Sequence, residues 1–383
     1  MLTAPRNMTL VFVGGGTGGH LFPAVALADR ITELAGPECR LSILFVGTAR
    51  GIEYRMRESL GYPLRLINIR GLTRSLTLKN LVVPFLIIGS LLQSRSLLKE
   101  VRPDLVIGTG GYVSWPVLRM AAAMKIPTVL QEQNSYPGMV TRKLASRAKR
   151  IYLGFEAARE HIDRTAPIMV TGNPVRRSVV GGSREEAVKH FKLDPARKTI
   201  LVLGGSQGAR SVNEAVLKGL EADHLGANCQ LLWQTGGLDY ESIVARIGER
   251  SVRHFAFAFE KRMEAVYAAA DLVVGRAGAI SLGEIEACGK PSLLIPYPFA
   301  AGDHQRHNAR SYAAKGFADV IDPDELDATP LLQRAAAMLE SGRSEQIAEK
   351  LRRQNAGKKP AVDVIAEDII RLVGREQEET VAC

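Results

Sequence analysis

Cysteine is scarce in this chain of 383 residues, and its four copies (Cys39, Cys229, Cys288 and Cys383) stand far apart with no C-x-x-C pair. That spacing argues against a disulfide framework or a zinc site and fits reduced structural thiols. Aromatic residues are also few, at 6%. The dispersed basic residues therefore lack the stacking partners that single-stranded nucleic acid requires, and no nucleic-acid partner is expected. Long hydrophobic runs are missing: the longest, Leu81 to Leu92, falls well short of the ~20 residues needed to span a bilayer. The opening MLTAPRNM lacks the basic and apolar regions of a signal peptide. A chain that works inside the cell and crosses no membrane is expected. No G-x-x-x-x-G-K-[ST] occurs, so a P-loop hydrolase is not expected. The one D-x-D, Asp322-Pro-Asp324, sits in a polar turn and reads as solvated, so neither metal nor cofactor is expected.

What is present suits two globular domains, since single cores stop growing near ~250–300 residues. Lys and Arg outnumber Asp and Glu by 50 to 40, a net charge of +10 that favours anionic partners. Two stretches share one plan. Thr9 to Val13 runs into GGGTGG and a helical pattern from Phe22 to Leu34; Thr199 to Leu203 runs into GGSQGARSVN and a helical pattern from Asn213. After each opening, short apolar runs alternate with amphipathic segments, as parallel strands with helical crossovers require. The fold class is α/β, with two Rossmann-like domains joined near Thr171 to Gly182. The expected boundaries are 1–175 and 176–358, with a helix over about 359–373 packing back on the first domain.

The loop Gly14 to His20 formally matches G-x-G-x-x-G, whose glycines let backbone approach a diphosphate at a helix start. An NAD site would also want an acid ending the second strand, but that strand reads LFVGTAR, with none. An NAD-dependent oxidoreductase is thus disfavoured. Gly204 to Arg210 builds a similar cradle, with Ser206 as an extra donor. The alternative for either loop is a tight turn that binds nothing.

With both loops placed, GGTGGH, GGYVSWP (Gly110 to Pro116), QEQNSYPG (Gln131 to Gly138), GNPVR (Gly172 to Arg176), GGSQGAR, RAGAISLGE (Arg276 to Glu284) and DHQRHNA (Asp303 to Ala309) follow in order. Together, over roughly Thr9 to Val373, they closely resemble the MurG family, the peptidoglycan glycosyltransferases that convert lipid I to lipid II. The resemblance implies a GT-B fold, two Rossmann-like domains with parallel sheets facing across a cleft. The N-terminal domain would take the lipid acceptor and the C-terminal domain UDP-GlcNAc.

It further implies an inverting, metal-independent N-acetylglucosaminyltransferase acting on the 4-hydroxyl of MurNAc in undecaprenyl-pyrophosphoryl-MurNAc-pentapeptide. Such an enzyme would work as a peripheral protein on the cytoplasmic face of the bacterial inner membrane, serving cell-wall biogenesis, cell shape and division. Another GT-B glycolipid glycosyltransferase and a UDP-GlcNAc 2-epimerase share the architecture. The family's UDP-GlcNAc contacts carry over to Thr17, Gly18, Gly19, Asn134, Arg176, Ser206, the stretch Ala279, Ile280, Ser281, Leu282, Gly283 and Glu284, and Gln305. The residue types agree: Arg176 suits a diphosphate, Glu284 could accept both ribose hydroxyls, and Gln305 and Asn134 suit sugar hydroxyls. His20 is the first candidate for general base and Glu132 the second; each could instead be structural. Two positions depart from the family: Gln131 stands where His is common, and Glu260 stands at the apolar position flanking uracil. Leu81, Val82, Phe85 and Leu86, with Arg74, Lys79 and Arg95, form an apolar stretch bordered by cations, suited to an anionic membrane surface or to a buried crossover helix.

Overall fold

The computed structural model describes residues 5, 7–70, 83–205, 208–248 and 254–382, and no side-chain surroundings at 83, 84 and 378–382. The chain divides into two compact units, residues 1–175 with 359–383, and residues 176–358.

In the first unit, seven strands form one sheet: β1 (Asn7–Gly14), β2 (Arg40–Gly47), β3 (Leu64–Leu66), β4 (Leu105–Gly110), β5 (Thr128–Glu132), β6 (Arg150–Leu153) and β7 (Ile168–Val170). Their order is β3-β2-β1-β4-β5-β6-β7, and every pairing is parallel. The second sheet contains β8 (Lys198–Leu203), β9 (Cys229–Gln234), β10 (His254–Phe257), β11 (Leu272–Gly275), β12 (Ser292–Leu294) and β13 (Asp319–Val320). Its order, β10-β9-β8-β11-β12-β13, is again all parallel. Both orders are doubly wound: the chain leaves the first strand toward one edge, then returns to its other side.

Parallel strands buried on both faces read as continuous apolar runs, and β1 shows why. Met8, Leu10 and Phe12 point into a core with Leu27 and Ile31 of the helix Gly18–Ala35. Val11 and Val13 point to the opposite face, against Val117 and Leu118 of the helix Ser114–Ala123. The first of these cores is completed by the helix Ala361–Ala382, whose Val362, Ile365, Ile369 and Ile370 are buried in it. Polar contacts fix that helix in register. Arg30 Nε reaches Asp363 at 2.6 Å, while Arg150 Nε (3.0 Å) and the Tyr152 hydroxyl (2.9 Å) both donate to Asp368.

Two basic residues of the first unit pair with the same helix: Arg150 with Asp368, and Lys149, which lies 2.8 Å from Glu376. The helix Val83–Val101 is turned in an unusual sense. Ser90 and Ser94 are buried, their hydroxyls donating to the carbonyls of Ile87 and Ser90, whereas Phe85, Ile88 and Leu92 are 75%, 57% and 62% exposed. Leu86 is half-buried and Arg95 exposed; Arg74, Lys79, Leu81 and Val82 lie outside the described residues. No helix among the described residues is long and apolar enough to cross a membrane.

Truncating a fully buried Ile typically costs about 2–5 kcal/mol. Ile369→Ala should lower the unfolding free energy of the first unit by that amount, read as a lower midpoint in urea. Ligand binding by the second unit should be retained.

Candidate active site

In a doubly wound sheet, ligands bind beyond the carboxyl ends of the strands where the order reverses. Those points lie between β1 and β4 in the first unit and between β8 and β11 in the second. The glycine loops Gly14 to His20 and Gly204 to Ala209 sit at these two places, each paired with the loop after β4 or β11.

In the first unit a register shift at Val13/Gly14 marks a bulge, so that Gly14 pairs with Gly110 after Val13 has paired with Gly108. The extra residue, Thr109, turns its hydroxyl onto the His20 carbonyl at 2.7 Å. A Cβ on Gly14 would overlap that hydroxyl. Thr17 is the exposed N-cap of the helix Gly18–Ala35, and its Oγ1 lies 3.1 Å from His20 Nδ1. The imidazole rests against Gly110 and Gly111, where a Cβ would come within 2.7 Å of Cδ2 and 3.3 Å of Nδ1. Gly18 is partly covered and Gly19 exposed at the helix start.

Glu132 is buried at the end of β5, and its own loop occupies both oxygens. Oε1 accepts from the Asn134 backbone (3.1 Å) and carboxamide (3.3 Å), and Oε2 from Gly138 N–H (2.9 Å) and the Thr141 hydroxyl (2.6 Å). This favours bracing over proton abstraction. Asn134 is half-buried and turned toward that carboxylate. Gln131 and Gln133 form a buried amide network with Asn173, through Gln131 Nε2 to Asn173 Oδ1 (3.3 Å) and Asn173 Nδ2 to the Gln133 carbonyl (3.0 Å). Gln131 thus fills a structural role.

In the second unit, Gly208 has φ +80° and its Cβ would lie 2.3 Å from the Thr235 carbonyl oxygen, so only glycine fits. Ser206 lies outside the described residues. After β11, Gly278 is the N-cap of the helix Ala279–Ala287 with no side-chain cap, and the first intrahelical bond runs from Leu282 N–H to Gly278 O at 2.9 Å. Such an end presents backbone N–H groups and positive potential to an anion or carbonyl. Ile280, Ser281 and Gly283 keep accessible surface, whereas Ala279 and Leu282 are buried and can offer only backbone. Gln305 accepts Tyr297 N–H through Oε1 at 3.0 Å, and its Nε2 comes within 4.0 Å of a Cβ built on Gly278.

Glu284 is half-buried one turn into this helix. Burial raises its pKa; the Tyr267 hydroxyl, donating at 3.0 Å, and the positive charge of Arg176 each pull it back down. Exposed Arg176 and Glu284 are therefore electrostatic neighbours. Sequence reading missed Tyr267, which is buried with its own pKa raised by desolvation. It also missed Arg276, whose Nη2 donates to the Ser211 hydroxyl at 2.7 Å and whose Nη1 donates to the carbonyls of Ile295 and Pro296. The motif RAGAISLGE contained Arg276, but nothing in the spacing showed that it would tie three loops together. Glu260 folds onto its own turn, accepting from Lys261 N (2.7 Å) and Arg262 N (2.8 Å). Asp322 and Asp324 each lie 3.1 Å from Arg306 Nη2, so that pair is engaged by a guanidinium.

Two doubly wound parallel-sheet units have the architecture of the GT-B fold, the fold of glycosyltransferases such as MurG. The chain belongs to glycosyltransferase family 28: the family's N-terminal domain matches residues 10–153 and its C-terminal domain residues 199–366. It is 42% identical over 370 residues to the UDP-N-acetylglucosamine--N-acetylmuramyl-(pentapeptide) pyrophosphoryl-undecaprenol N-acetylglucosamine transferase of Chlorobaculum tepidum, covering 95% of this chain and 99% of that protein. The identically named protein of Chlorobium limicola is 44% identical over 325 residues, 84% of this chain and 87% of that one. Among solved structures, MurG of Acinetobacter baumannii matches with a TM-score of 0.72 at 26% identity, over 96% of this chain and 99% of that one. A putative UDP-N-acetylglucosamine 2-epimerase from Listeria monocytogenes shares the fold, with a TM-score of 0.65 at 14% identity over 98% of each chain.

The Glu284 surroundings generate a pH test. Removing the Tyr267 hydroxyl removes an interaction that lowers the carboxyl's pKa, so Tyr267→Phe should raise it further. As pH falls, the carboxylate is then lost at a higher pH than in the wild type. Calorimetric UDP affinity should accordingly decline earlier on acidification in Tyr267→Phe, and Glu284→Gln should abolish that limb.

Proposed function

We propose that this protein transfers N-acetylglucosamine from UDP-GlcNAc to the 4-hydroxyl of MurNAc in undecaprenyl-pyrophosphoryl-MurNAc-pentapeptide, inverting the anomeric centre. The observation that carries the reading is the 42% identity to the Chlorobaculum tepidum transferase over 95% of this chain. The helix start at Gly278, which has no side-chain cap, with Arg176 and Glu284 beside one another, supports it chemically.

The second unit takes the donor. Glu284 accepts the ribose hydroxyls, first-turn N–H groups of Ala279 to Ser281 meet the nucleotide, and Gln305 donates its amide to the sugar. Ser206 and Arg176 hold the diphosphate. In the first unit Thr17, Gly18, Gly19 and Asn134 serve as substrate contacts. The acceptor O4 attacks C1 as the C1–O bond to phosphate breaks, and the electron pair leaves with UDP. With Nδ1 held by Thr17, His20 Nε2 takes the hydroxyl proton; Glu132 holds the 134–141 loop in shape. The leaving charge is stabilised by Arg176 and by fixed backbone dipoles rather than a metal.

The decisive assay mixes purified protein, UDP-GlcNAc and a short-chain lipid I analogue with EDTA present. The disaccharide product is expected at full rate, and His20→Asn should slow it by roughly 10²–10⁴. A strict divalent-metal requirement would overturn the mechanism. Donor consumption without acceptor would identify an epimerase instead.

The acceptor's polyprenyl chain lies in a bilayer, so the protein must work at the inner membrane's cytoplasmic surface. The exposed stripe Phe85, Ile88 and Leu92 beside Arg95 supports docking there, with half-buried Leu86 beneath it. Apolar insertion and cationic attraction add, so Phe85→Asp combined with Arg95→Glu should weaken sedimentation with anionic vesicles by about tenfold or more while sparing UDP affinity. Unchanged sedimentation would remove the patch from consideration.

A further inference from the structure

The first glycine loop already contains an anion. Glu53, in the short helix Ile52–Arg55, is 1% exposed, and its carboxylate lies directly beneath the loop. Oε2 accepts the Gly16 N–H at 2.8 Å, and Oε1 accepts the Thr48 N–H at 2.9 Å. Among the described residues Glu53 makes no ion pair; two backbone N–H groups hold it, with the Thr48 hydroxyl donating to Oε1 at 3.4 Å.

Three glycines make room for this one side chain. A Cβ on Gly15 would lie 2.5 Å from the carboxyl carbon, one on Gly47 would lie 2.3 Å from Cγ, and one on Gly51 would lie 2.0 Å from Oε1. Glycine at these places is therefore explained by an internal ligand, not only by approach to an external one. Gly16 has φ +84°, a left-handed conformation that the Glu53 hydrogen bond pins from below and the Tyr112 ring covers from the side, 3.2 Å from a built Cβ. The Tyr112 hydroxyl lies 3.2 Å from Thr48 Oγ1, closing the brace. Thr17 and His20 follow immediately along the chain.

We propose that Glu53 is a positioning residue for the transfer reaction: it takes an N–H that a bound diphosphate would otherwise claim, and so sets the loop that carries Thr17 and His20. Two consequences follow for this loop. It is held in shape without a ligand, and a buried negative charge beneath it disfavours a second nucleoside diphosphate. The inference rests on the proposed function for its kinetic readout, and has a structural readout that does not.

The test compares wild type with Glu53→Gln and Gly51→Ala. Gln replaces one accepting oxygen by a donor, so it cannot satisfy both the Gly16 and Thr48 N–H groups. Gly51 has φ −79° and ψ 166°, which alanine adopts readily, so its substitution acts by displacing the carboxylate. Both variants should lose turnover by about tenfold or more at saturating substrates, the scale of a misplaced general base. UDP affinity, a property of the second unit, should stay within about twofold. Amide hydrogen exchange over residues 14–20 should accelerate in both variants, whatever reaction the protein performs.

Protected loop amides in both variants would overturn the proposal, as would wild-type turnover in either. A parallel fall in UDP affinity would also overturn it, by showing general damage. An inactive wild type with loop exchange accelerated in the variants would reject the proposed function while retaining the brace.

Discussion

Parallel strands can lie side by side only if the chain returns over the sheet between them, and the direction of each return decides which backbone groups are left uncovered. In both units the first strand lies inside the sheet, flanked by strands reached in opposite directions. Helices leaving β1 and β4, or β8 and β11, must therefore part from one another, and their starts stay open at the carboxyl edge. Each feature of chemical interest sits in one of these gaps: the Thr17 cap and His20 in one, the Gly278 cap and Glu284 in the other. The glycines follow from that geometry, because the turns at these strand ends pass close to neighbouring backbone and side chains.

The same gap serves two different tasks. Beneath the first loop the chain supplies its own carboxylate, and hydrogen bonds run inward from Gly16 and Thr48. Around the second gap the polar groups face outward: an uncapped helix start, an exposed guanidinium at Arg176, and a carboxylate whose pKa burial has raised. The first loop is braced by an internal carboxylate, whereas the second gap gathers an uncapped helix start, a guanidinium and a carboxylate. This asymmetry fits a reaction in which only the donor must surrender a charged leaving group.

The fold was largely legible, and the reasons it was not fully so are specific. The doubled strand, glycine turn and helix pattern marks β1 and β8, and the apolar alternation that follows finds most of their parallel neighbours. The signal is faint at β6, where Arg150 opens a four-residue strand directly after a basic run. It is absent at β13, whose two residues carry no period at all. In the site, Glu284 and Arg176 were readable as residue types, and the structure makes them electrostatic neighbours. Glu53 was not legible because a dinucleotide site calls for an acid at the very end of β2. The one that matters lies six residues beyond Gly47 and folds back through Gly51. Glu132 was readable as an acid beside the loop, yet only the four donors around it reveal that its lone pairs are spent.

The return of the chain to its first unit affects the order in which the protein is built. The helix starting at Ala361 supplies Ile365, Ile369 and Ile370 to the core that also holds Leu27 and Ile31. During synthesis that apolar face has no cover until the final helix emerges, although its other contributors were made hundreds of residues earlier. The second unit, by contrast, is a continuous stretch that ends at residue 358. The later domain in the sequence can thus finish folding first, while the earlier one waits with a sticky surface exposed, the state in which chaperones and stray association have the most time to act.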